Sequence, residues 1–278
     1  MEKLINIPFN YTIMKIGLAL GSGGAKGLAH IGVLKVFDEL KIKPSVISGS
    51  SMGAFIGALY ASGISGDQMI REYKKLSLAQ MTSMLDFRWN RKYGFIKGER
   101  AIEYFRKNMR CRDFKDTKIP LKVVATDFWN QEQVVFTEGD ISEAVRASIS
   151  IPGLFEPHVY DNRVYIDGGI MNPVPFDIIK DECDIVVAVD VFSSIPINNI
   201  HPDKPRLMEC MISGLQMMAA SIEKNKMLHY KPDIYMNMNV GGTRILEFHK
   251  LDSILEATEE DLETLRTKLQ AVRKVFKE

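Results

Sequence analysis

Two glycine-rich turns near the start of the chain hold the residues best suited to chemistry. The first reads Gly21-Ser22-Gly23-Gly24-Ala25-Lys26-Gly27 and the second Gly49-Ser50-Ser51-Met52-Gly53, and each separates an apolar run from a helical pattern. The second turn fits G-x-S-x-G, in which a serine on a sharp strand-to-helix turn holds its hydroxyl clear of the sheet. Ser51 is therefore the predicted nucleophile. The first turn is predicted to leave backbone N–H groups unpaired at a helix start, where they can stabilise a developing oxyanion.

A serine nucleophile needs a base, and the histidines of this chain fit that role poorly. His30 falls within the first predicted helix, His201 lies beside a proline, and His229 and His249 lie in late segments without a catalytic pattern. A surface or core role is favoured for each of them. His158 is retained as the reserve candidate for the base.

A carboxylate is the stronger candidate for the base. Asp167 stands in the sequence Tyr165-Ile166-Asp167-Gly168-Gly169, where a predicted strand ends in two glycines. Ligands and catalytic groups gather at the carboxyl edge of open α/β sheets, so Ser51 and Asp167 are predicted to meet there. Taken alone, D-G-G is better explained as a turn in which the aspartate side chain bonds to nearby backbone N–H groups.

The elements that must position these residues alternate between strand and helix patterns. Strands are predicted at 13–20, 46–48, 121–125, 134–137, 163–166, 184–191 and 234–239. Helices are predicted at 25–40, 51–63, 142–147, 174–180, 208–228 and 257–276. This alternation predicts an α/β fold, with helices layered on a mainly parallel central sheet.

Several separated blocks together resemble one known family, the patatin-like phospholipases. The blocks that carry the resemblance, in the order in which that family has them, are residues 21–34, 49–53, 144–155 and 167–169. Asn172-Pro173-Val174-Pro175 also fits, and the resemblance covers about residues 15–191. Four blocks in the right order make chance similarity improbable, whereas G-x-S-x-G alone is weak evidence.

The resemblance implies a three-layer α/β/α fold and a serine hydrolase that cleaves acyl esters of phospholipids or lysophospholipids without a metal or a cofactor. Ser51 would attack the ester and form an acyl-enzyme, and Asp167 would accept its proton as the second member of a Ser–Asp dyad. The oxyanion donors would come from Gly23, Gly24 and Ala25. The supporting motif residues are Gly21, Ser22, Lys26, Gly27, Gly49, Gly53, Gly168 and Gly169.

The first turn departs from the family pattern at two positions. Ser22 stands where many members have a third glycine, and Lys26 stands where arginine is common. Neither change removes a backbone N–H, but an ammonium group cannot copy the bidentate geometry of a guanidinium group. We expect activity to survive both changes.

The composition is that of an ordinary globular protein. The chain has 278 residues, 46% of them hydrophobic and 26% charged, and a formal net charge of +1, so nothing global points to nucleic acid as a partner. Cys111, Cys183 and Cys210 lack C-x-x-C spacing. They therefore argue against a disulfide framework or a zinc site and favour a reducing compartment.

Domain organisation and location follow from the same patterns. One domain is predicted over residues 14–278, with core motifs at 15–191 and a C-terminal helical extension at 205–278. Residues 1–13 are either an N-terminal arm or an artefact of start-site choice. No apolar run approaches the roughly 20 residues that span a bilayer, and no signal peptide is evident. A cytoplasmic location is predicted, with peripheral contact at the inner membrane surface as an open hypothesis.

Two segments bear on that hypothesis. Region 87–114 interleaves basic and aromatic residues, as interfacial surfaces do. Its Ile102, Phe105 and Met109 follow helix-core spacing, however, so an ordinary solvated helix face is favoured. The methionines of 208–227 could adapt to acyl chains, although core packing of a long helix is favoured there. The oligomeric state is left open.

The glycine-rich turns do not fit the common nucleotide-binding motifs. A dinucleotide fingerprint fails because its third glycine would fall at Lys26, and a Walker A loop fails because Lys26 is followed by Gly27. Two alternatives stay open. One is a regulator on the same fold that binds lipid or protein without turnover, and the other is a soluble carboxylesterase with a Ser-His-Asp triad that uses His158.

Overall fold

The computed structural model describes residues 14–84, 86, 95–192, 204 and 207–275. The proposed N-terminal arm at 1–13 lies outside the described residues, as do residues 87–94 of the basic and aromatic region.

Within the described residues, the central sheet has eight strands. They are β1 (Ile16–Leu20), β2 (Val46–Ser50), β3 (Leu121–Asp127), β4 (Glu132–Phe136), β5 (His158–Tyr160), β6 (Arg163–Asp167), β7 (Ile185–Asp190) and β8 (Ile234–Asn237). Their order is β5-β6-β3-β2-β1-β7-β8, with β4 paired to β3. The pairs from β3 through β2, β1 and β7 to β8 are parallel, whereas β4, β5 and β6 pair antiparallel. β1 is apolar, β7 is apolar up to its last residue, Asp190, and both are almost fully buried, as the centre of a parallel sheet requires.

The helices surround this sheet. They are α1 (Ala29–Glu39), α2 (Met52–Ala61), α3 (Gly66–Lys74), α4 (Leu78–Met84), α5 (Glu99–Asn108), α6 (Ile141–Ser148), α7 (Leu207–His229), α8 (Leu251–Ala257) and α9 (Glu259–Val275). The first predicted helix begins as a 3-10 helix, Gly24–Leu28, and becomes α-helical only at Ala29. Among the helices in the described ranges, none combines the length and hydrophobicity needed to cross a membrane.

Side chains of the sheet alternate between two separate cores. Leu18 and Leu20 of β1 pack on one face with α1, α2 and α9. Ala19 points to the other face, which is covered by the segment at 174–179 and the end of α7. The sheet is therefore the middle of three layers, and the predicted α/β fold with a mainly parallel sheet is confirmed.

The helix predicted at 174–180 is wrong. The backbone N–H of Val174 donates to the carboxylate of Glu223 at 2.9 Å, and the Val174 carbonyl accepts from the ammonium group of Lys226 at 2.6 Å. Because side chains of α7 satisfy these backbone groups, the segment stays irregular and forms turns before a short 3-10 helix, Lys180–Glu182.

The pairing register of β3 brings the ends of two strands together. Ser50 of β2 pairs with Val124, and Asp167 of β6 pairs with the next residue, Ala125. Since β4 pairs with both Val124 and Ala125 along the opposite edge, β2 and β6 share one edge of β3 and end against each other. Asp167 was predicted to reach Ser51 at the common carboxyl edge of parallel strands. The two residues do meet, but β6 runs antiparallel and approaches head to head.

Candidate active site

Ser51 lies at the junction between β2 and α2. Its backbone angles, φ 52° and ψ −122°, are strained for a residue other than glycine, which costs about 1–3 kcal/mol. The turn is tight because α2 starts directly against β1, and a Cβ atom on Gly53 would lie 2.1 Å from the carbonyl oxygen of Leu20. The Ser51 N–H donates to Oγ of Ser148 in α6 at 2.8 Å. This is the strand-to-helix turn that G-x-S-x-G predicts.

Both carboxylate oxygens of Asp167 are engaged within the site. Oδ2 accepts a hydrogen bond from Oγ of Ser51 at 2.6 Å, and Oδ1 accepts from the N–H of Gly169 at 2.7 Å. The Asp167 backbone is fixed as well, since its N–H donates to the Ser150 carbonyl at 2.9 Å and its carbonyl accepts from Oγ1 of Thr126 at 3.0 Å. The D-G-G turn predicted from the sequence is therefore present, and its aspartate also reaches the serine.

Burial changes the acidity of this carboxyl group. Asp167 is 5% exposed, and removal from water raises its pKa to about 7, although the hydrogen bonds from Ser51 and Gly169 act in the opposite direction. A carboxylate with this pKa is a much better proton acceptor than an ordinary aspartate, whose pKa is about 3.9.

The first glycine-rich turn is held beside Ser51 by hydrogen bonds to its backbone groups. The N–H of Ser22 donates to the Pro173 carbonyl at 2.8 Å, and Nε2 of His30 donates to the Gly21 carbonyl at 2.8 Å. Gly24 has a φ of +54°, and a Cβ atom there would lie 2.6 Å from the carbonyl oxygen of Ile245. Glycine is therefore required where this turn passes so close to another backbone.

The three predicted oxyanion donors are not equivalent. The N–H of Ala25 donates to the Ile245 carbonyl at 2.8 Å and is already occupied. Within the part of the chain that the structure describes, the N–H groups of Gly23 and Gly24 have no protein acceptor. Both glycines line the same cavity as Ser51. Gly23 and Gly24 are thus the available donors.

Ser22 has a hydroxyl group with no protein partner. The residue is 5% exposed, and Oγ is buried without a hydrogen bond among the described residues. It lines the cavity that contains Ser51 and Asp167, and it lies close to Gly169, whose added Cβ would be 2.6 Å from Ser22 Oγ. An unsatisfied buried hydroxyl is costly and calls for an explanation.

The side chain of Lys26, in the same turn, is also buried. Burial lowers the pKa of its ammonium group, and the nearby charge of Asp190 partly offsets this shift. Nζ lies 5.8 Å from the centroid of the Phe192 ring. Lys26 is not among the residues that line either of the cavities at Ser51.

Two cavities meet at Ser51. The smaller has a volume of about 150 Å³ and contains Asp167, the glycine-rich turn and apolar side chains of α7. The larger has a volume of about 350 Å³ and extends along α2 between α3 and α5. Gly24, Ser51 and Ile151 line both. A bond held at Ser51 can therefore have one substituent in each cavity.

His158, the reserve candidate for the base, lies outside the cavities at Ser51. Nε2 of His158 lies 2.8 Å from Oε2 of Glu143, and burial lowers the pKa of the imidazole. His158 does not line either cavity at Ser51. The structure brings Ser51 to Asp167 and pairs His158 with a different carboxylate.

Two residues of the site carry contacts that the sequence did not assign. Ser148, which holds the Ser51 N–H, lies inside the block at 144–155, so its neighbourhood was identified but its role was not. Ile245, which occupies the Ala25 N–H, lies beyond the region of resemblance. Nothing local in the sequence could have indicated the contact made by Ile245.

The methionines of α7 do not follow the core-packing prediction. Met211, Met217 and Met218 are 44%, 59% and 56% exposed. Met218 also lines the smaller cavity, so an exposed apolar face of α7 is continuous with the site. Among the described residues, no group of three or more His, Cys, Asp or Glu side chains is arranged to hold a metal ion.

The chain is similar in sequence to known proteins. An uncharacterized NTE family protein of Mycobacterium tuberculosis is 36% identical over 181 residues, which are 65% of this chain and 50% of that protein. Lysophospholipase nte1 of Aspergillus fumigatus is 29% identical over an alignment that covers 87% of this chain and 17% of that protein. The chain thus spans half or less of these relatives.

The chain is also similar to a solved structure and matches a family model. The crystal structure of VipD from Legionella pneumophila aligns with a TM-score of 0.46 and 13% sequence identity, covering 90% of this chain and 67% of that one. The family described as patatin-like phospholipase matches residues 18–180, which include both glycine-rich turns, Ser51 and Asp167. The chain belongs to the patatin-like phospholipase family.

Proposed function

We propose that this chain hydrolyses acyl esters of phospholipids or lysophospholipids with Ser51 as nucleophile and Asp167 as base. The observation that carries the proposal is the 2.6 Å hydrogen bond between a serine on a strained strand-to-helix turn and a buried carboxylate. Membership of the family and a relative named lysophospholipase support it.

In the first half-reaction, Oγ of Ser51 attacks the ester carbonyl carbon while its proton passes to Oδ2 of Asp167. The carbonyl electron pair moves to oxygen, and the N–H groups of Gly23 and Gly24 stabilise the resulting oxyanion. Each such donor is worth about 3–4 kcal/mol in the transition state. The partial positive charge at the N-terminal end of α2 also stabilises the negative charge that develops in this step, because Ser51 directly precedes the first turn of the helix.

The tetrahedral intermediate then breaks its bond to the alcohol oxygen, which takes the proton from Asp167. The acyl group stays on Ser51 as an ester. In the second half-reaction, Asp167 accepts a proton from water as the water oxygen attacks the acyl carbon. The returning proton restores the Ser51 hydroxyl, and a fatty acid leaves.

The smaller cavity favours substrates with one acyl chain. Asp167 lines this cavity and must give its proton to the departing alcohol, so the alcohol lies there. Its volume of about 150 Å³ is less than half that of the larger cavity, so it offers less room for a second long chain. Lysophospholipids are therefore the proposed preferred substrates.

Peripheral contact with a lipid surface is part of the same proposal. The exposed methionines of α7 present an apolar face, and Met218 connects that face to the cavity with Ser51 and Asp167. A lipid could move from an aggregate to the site along this face. Hydrolysis of lysophosphatidylcholine is then expected to rise more steeply once the substrate forms micelles.

The test compares the parent protein with Ser51→Ala, Asp167→Asn and His158→Ala. Hydrolysis of a p-nitrophenyl ester and of lysophosphatidylcholine is measured, with folding checked by circular dichroism. We expect at least a thousandfold loss in the first two variants and substantial activity in His158→Ala. In the parent, kcat/KM should fall as the pH is lowered through about 7, because a protonated Asp167 cannot accept a proton.

Two results would contradict the proposal in different ways. Loss of activity in His158→Ala with retention in Asp167→Asn would favour a Ser-His-Asp triad. A folded parent protein that hydrolyses neither substrate would favour a binding protein without turnover.

A further inference from the structure

The larger cavity follows one face of α2. Its wall contains Met52, Phe55, Ile56 and Leu59, which are spaced so that they form a single stripe along the helix. The opposite face of α2 carries small residues, and an added Cβ on Gly57 would lie 3.1 Å from the Ile47 side chain. α2 therefore packs on the sheet through its small residues and turns its large apolar side chains to the cavity.

The polarity of the residues that line the larger cavity changes along its length. It begins at Ser51 and follows α2 to Leu59, a distance of about 12 Å at the rise of an α-helix. Gln68 and Arg110 line it where α2 ends. The Arg110 guanidinium donates to Oε1 of Gln68 at 3.2 Å, and its N–H donates at 3.4 Å to Oγ of Ser62, just after α2. The α2 side of the cavity is apolar, whereas α3, α5 and the segment after α5 contribute polar lining residues, namely Gln68, Glu72, Tyr73, Tyr104, Lys107, Asn108 and Arg110.

We propose that this cavity is the binding site for the acyl chain of the ester and that its polar end sets the preferred chain length. The inference rests on the proposed function, because it takes Ser51 as the point where the acyl carbon is held. The alcohol lies beside Asp167, which lines only the smaller of the two cavities. The acyl chain, on the other side of the scissile bond, therefore enters the larger cavity.

The volume gives a chain length. The whole cavity, its polar end included, has a volume of about 350 Å³, which corresponds to on the order of 12 groups of roughly 30 Å³ each. A chain of about twelve carbons therefore reaches the polar end. Longer chains push methylene groups against the charged and amide groups at Gln68 and Arg110, whose desolvation is unfavourable. Shorter chains leave apolar surface of the cavity uncovered and bind less tightly.

Ala101 offers a way to shorten the cavity. It lies in α5 and lines the cavity wall, so Ala101→Leu adds three carbon atoms to the space that the chain would occupy. Ala79 gives a matched control, because it is exposed on α4 and does not line the cavity. The measured quantity is kcat/KM for p-nitrophenyl esters with even-numbered acyl chains from four to sixteen carbons.

We expect the parent and Ala79→Leu to prefer chains near twelve carbons. In Ala101→Leu, the optimum should move to a shorter chain, and the ratio of kcat/KM for the twelve-carbon to the four-carbon ester should fall at least tenfold. An unchanged chain-length profile in folded Ala101→Leu would overturn the proposal.

A binding measurement separates this inference from the proposed reaction. Dodecanoate is titrated calorimetrically into Ser51→Ala and into the same variant with Ala101→Leu or Ala79→Leu. Binding that weakens at least tenfold only with Ala101→Leu supports the acyl site, even if the parent hydrolyses no ester and the proposed function fails. Equal dodecanoate binding by all three proteins would overturn the acyl site, even if hydrolysis depends on Ser51.

Discussion

At the scale of single residues, Ser51 and Asp167 have a backbone conformation and a burial that folding alone would not favour. Ser51 holds a strained backbone conformation, and Asp167 gives up hydration that an ionised carboxylate prefers. The strain holds the serine hydroxyl at the start of α2, and burial raises the basicity of the carboxylate beside it. Both features lower stability, and both are expected of the hydrolytic site that we propose.

Ser22 is a third residue whose position lowers stability, and it leads to a specific prediction. Its buried hydroxyl has no partner in the described part of the chain and faces the cavity with Ser51. If it donates to the substrate, Ser22→Ala should lower kcat by roughly tenfold to a hundredfold, since it removes one donor from a dry site. Stability should be unchanged or slightly higher, because no protein hydrogen bond is lost.

Ser48→Ala is the matched control for Ser22→Ala. Ser48 is also buried, but its hydroxyl donates to the Pro175 carbonyl at 2.7 Å. Its removal should cost about 1–3 kcal/mol in the free energy of unfolding and leave kcat unchanged. Steady-state kinetics and urea denaturation measure both quantities. Ser22→Ala with full activity would show that its hydroxyl has no role in turnover.

At the scale of elements, local patterns predicted the turns but not how they meet. The G-x-S-x-G turn depends on residues next to one another, so its form could be predicted from the sequence. The contact with Asp167 depends on the direction of β6, which is set by pairing with β3. Nothing within Arg163–Asp167 distinguishes an antiparallel from a parallel strand.

Contacts between distant segments explain the remaining differences. The segment at 174–180 has apolar spacing that suits a helix, but Glu223 and Lys226 of α7 take its backbone groups. The Ala25 N–H was predicted to be free and is occupied by Ile245. The apolar residues of α7 were predicted to be buried, but methionines on one face remain exposed. In each case a partner far away in sequence, or the lack of one among the described residues, decides the outcome.

The packing of α2 against β1 can be tested with two glycines. A Cβ on Gly53 would collide with the Leu20 carbonyl oxygen, whereas a Cβ on Gly214 in α7 would meet nothing within 4 Å. Gly53→Ala should therefore lower the free energy of unfolding by about 1–3 kcal/mol or more and displace Ser51. Gly214→Ala should raise it by about 0.5–1 kcal/mol, because alanine favours the helix.

Urea denaturation and ester hydrolysis measure the two effects. The contrast matters, because a loss of stability in both variants would point to a general intolerance of alanine. Gly53→Ala with parental stability and activity would show that α2 can move away from β1 without consequence.

At the scale of the whole molecule, buried titratable groups act on stability in opposite directions. Burial raises the pKa of Asp167 to about 7 and that of Glu223 to about 7. Burial lowers the pKa of His30 to about 4 and also lowers that of His158. Asp167 and Glu223 thus keep their protons, and His30 stays neutral, over much of the same interval of pH, from about 4 to about 6.5.

The direction of each effect follows from the unfolded chain. Unfolded Asp167 loses its proton near pH 4 but folded Asp167 keeps it to about 7, so its contribution to stability falls as the pH rises through this interval. Unfolded His30 takes up a proton near pH 6.5 but the folded residue does so only near 4. Its contribution therefore falls as the pH is lowered. The two dependences oppose each other.

We expect the contributions of Asp167 and His30 to the pH dependence of the free energy of unfolding to cancel largely between pH 4.5 and 6.5. Relative to the parent, Asp167→Asn should gain about 1.4 kcal/mol per pH unit as the pH rises, because one falling contribution has been removed. His30→Gln, which keeps a donor for the Gly21 carbonyl, should lose about the same amount per unit. Urea denaturation at pH 4.5, 5.5 and 6.5 gives these slopes. Variant curves that run parallel to the parent curve would mean that Asp167 and His30 titrate alike in the folded and unfolded states, and the basicity assigned to Asp167 would then lose its physical support.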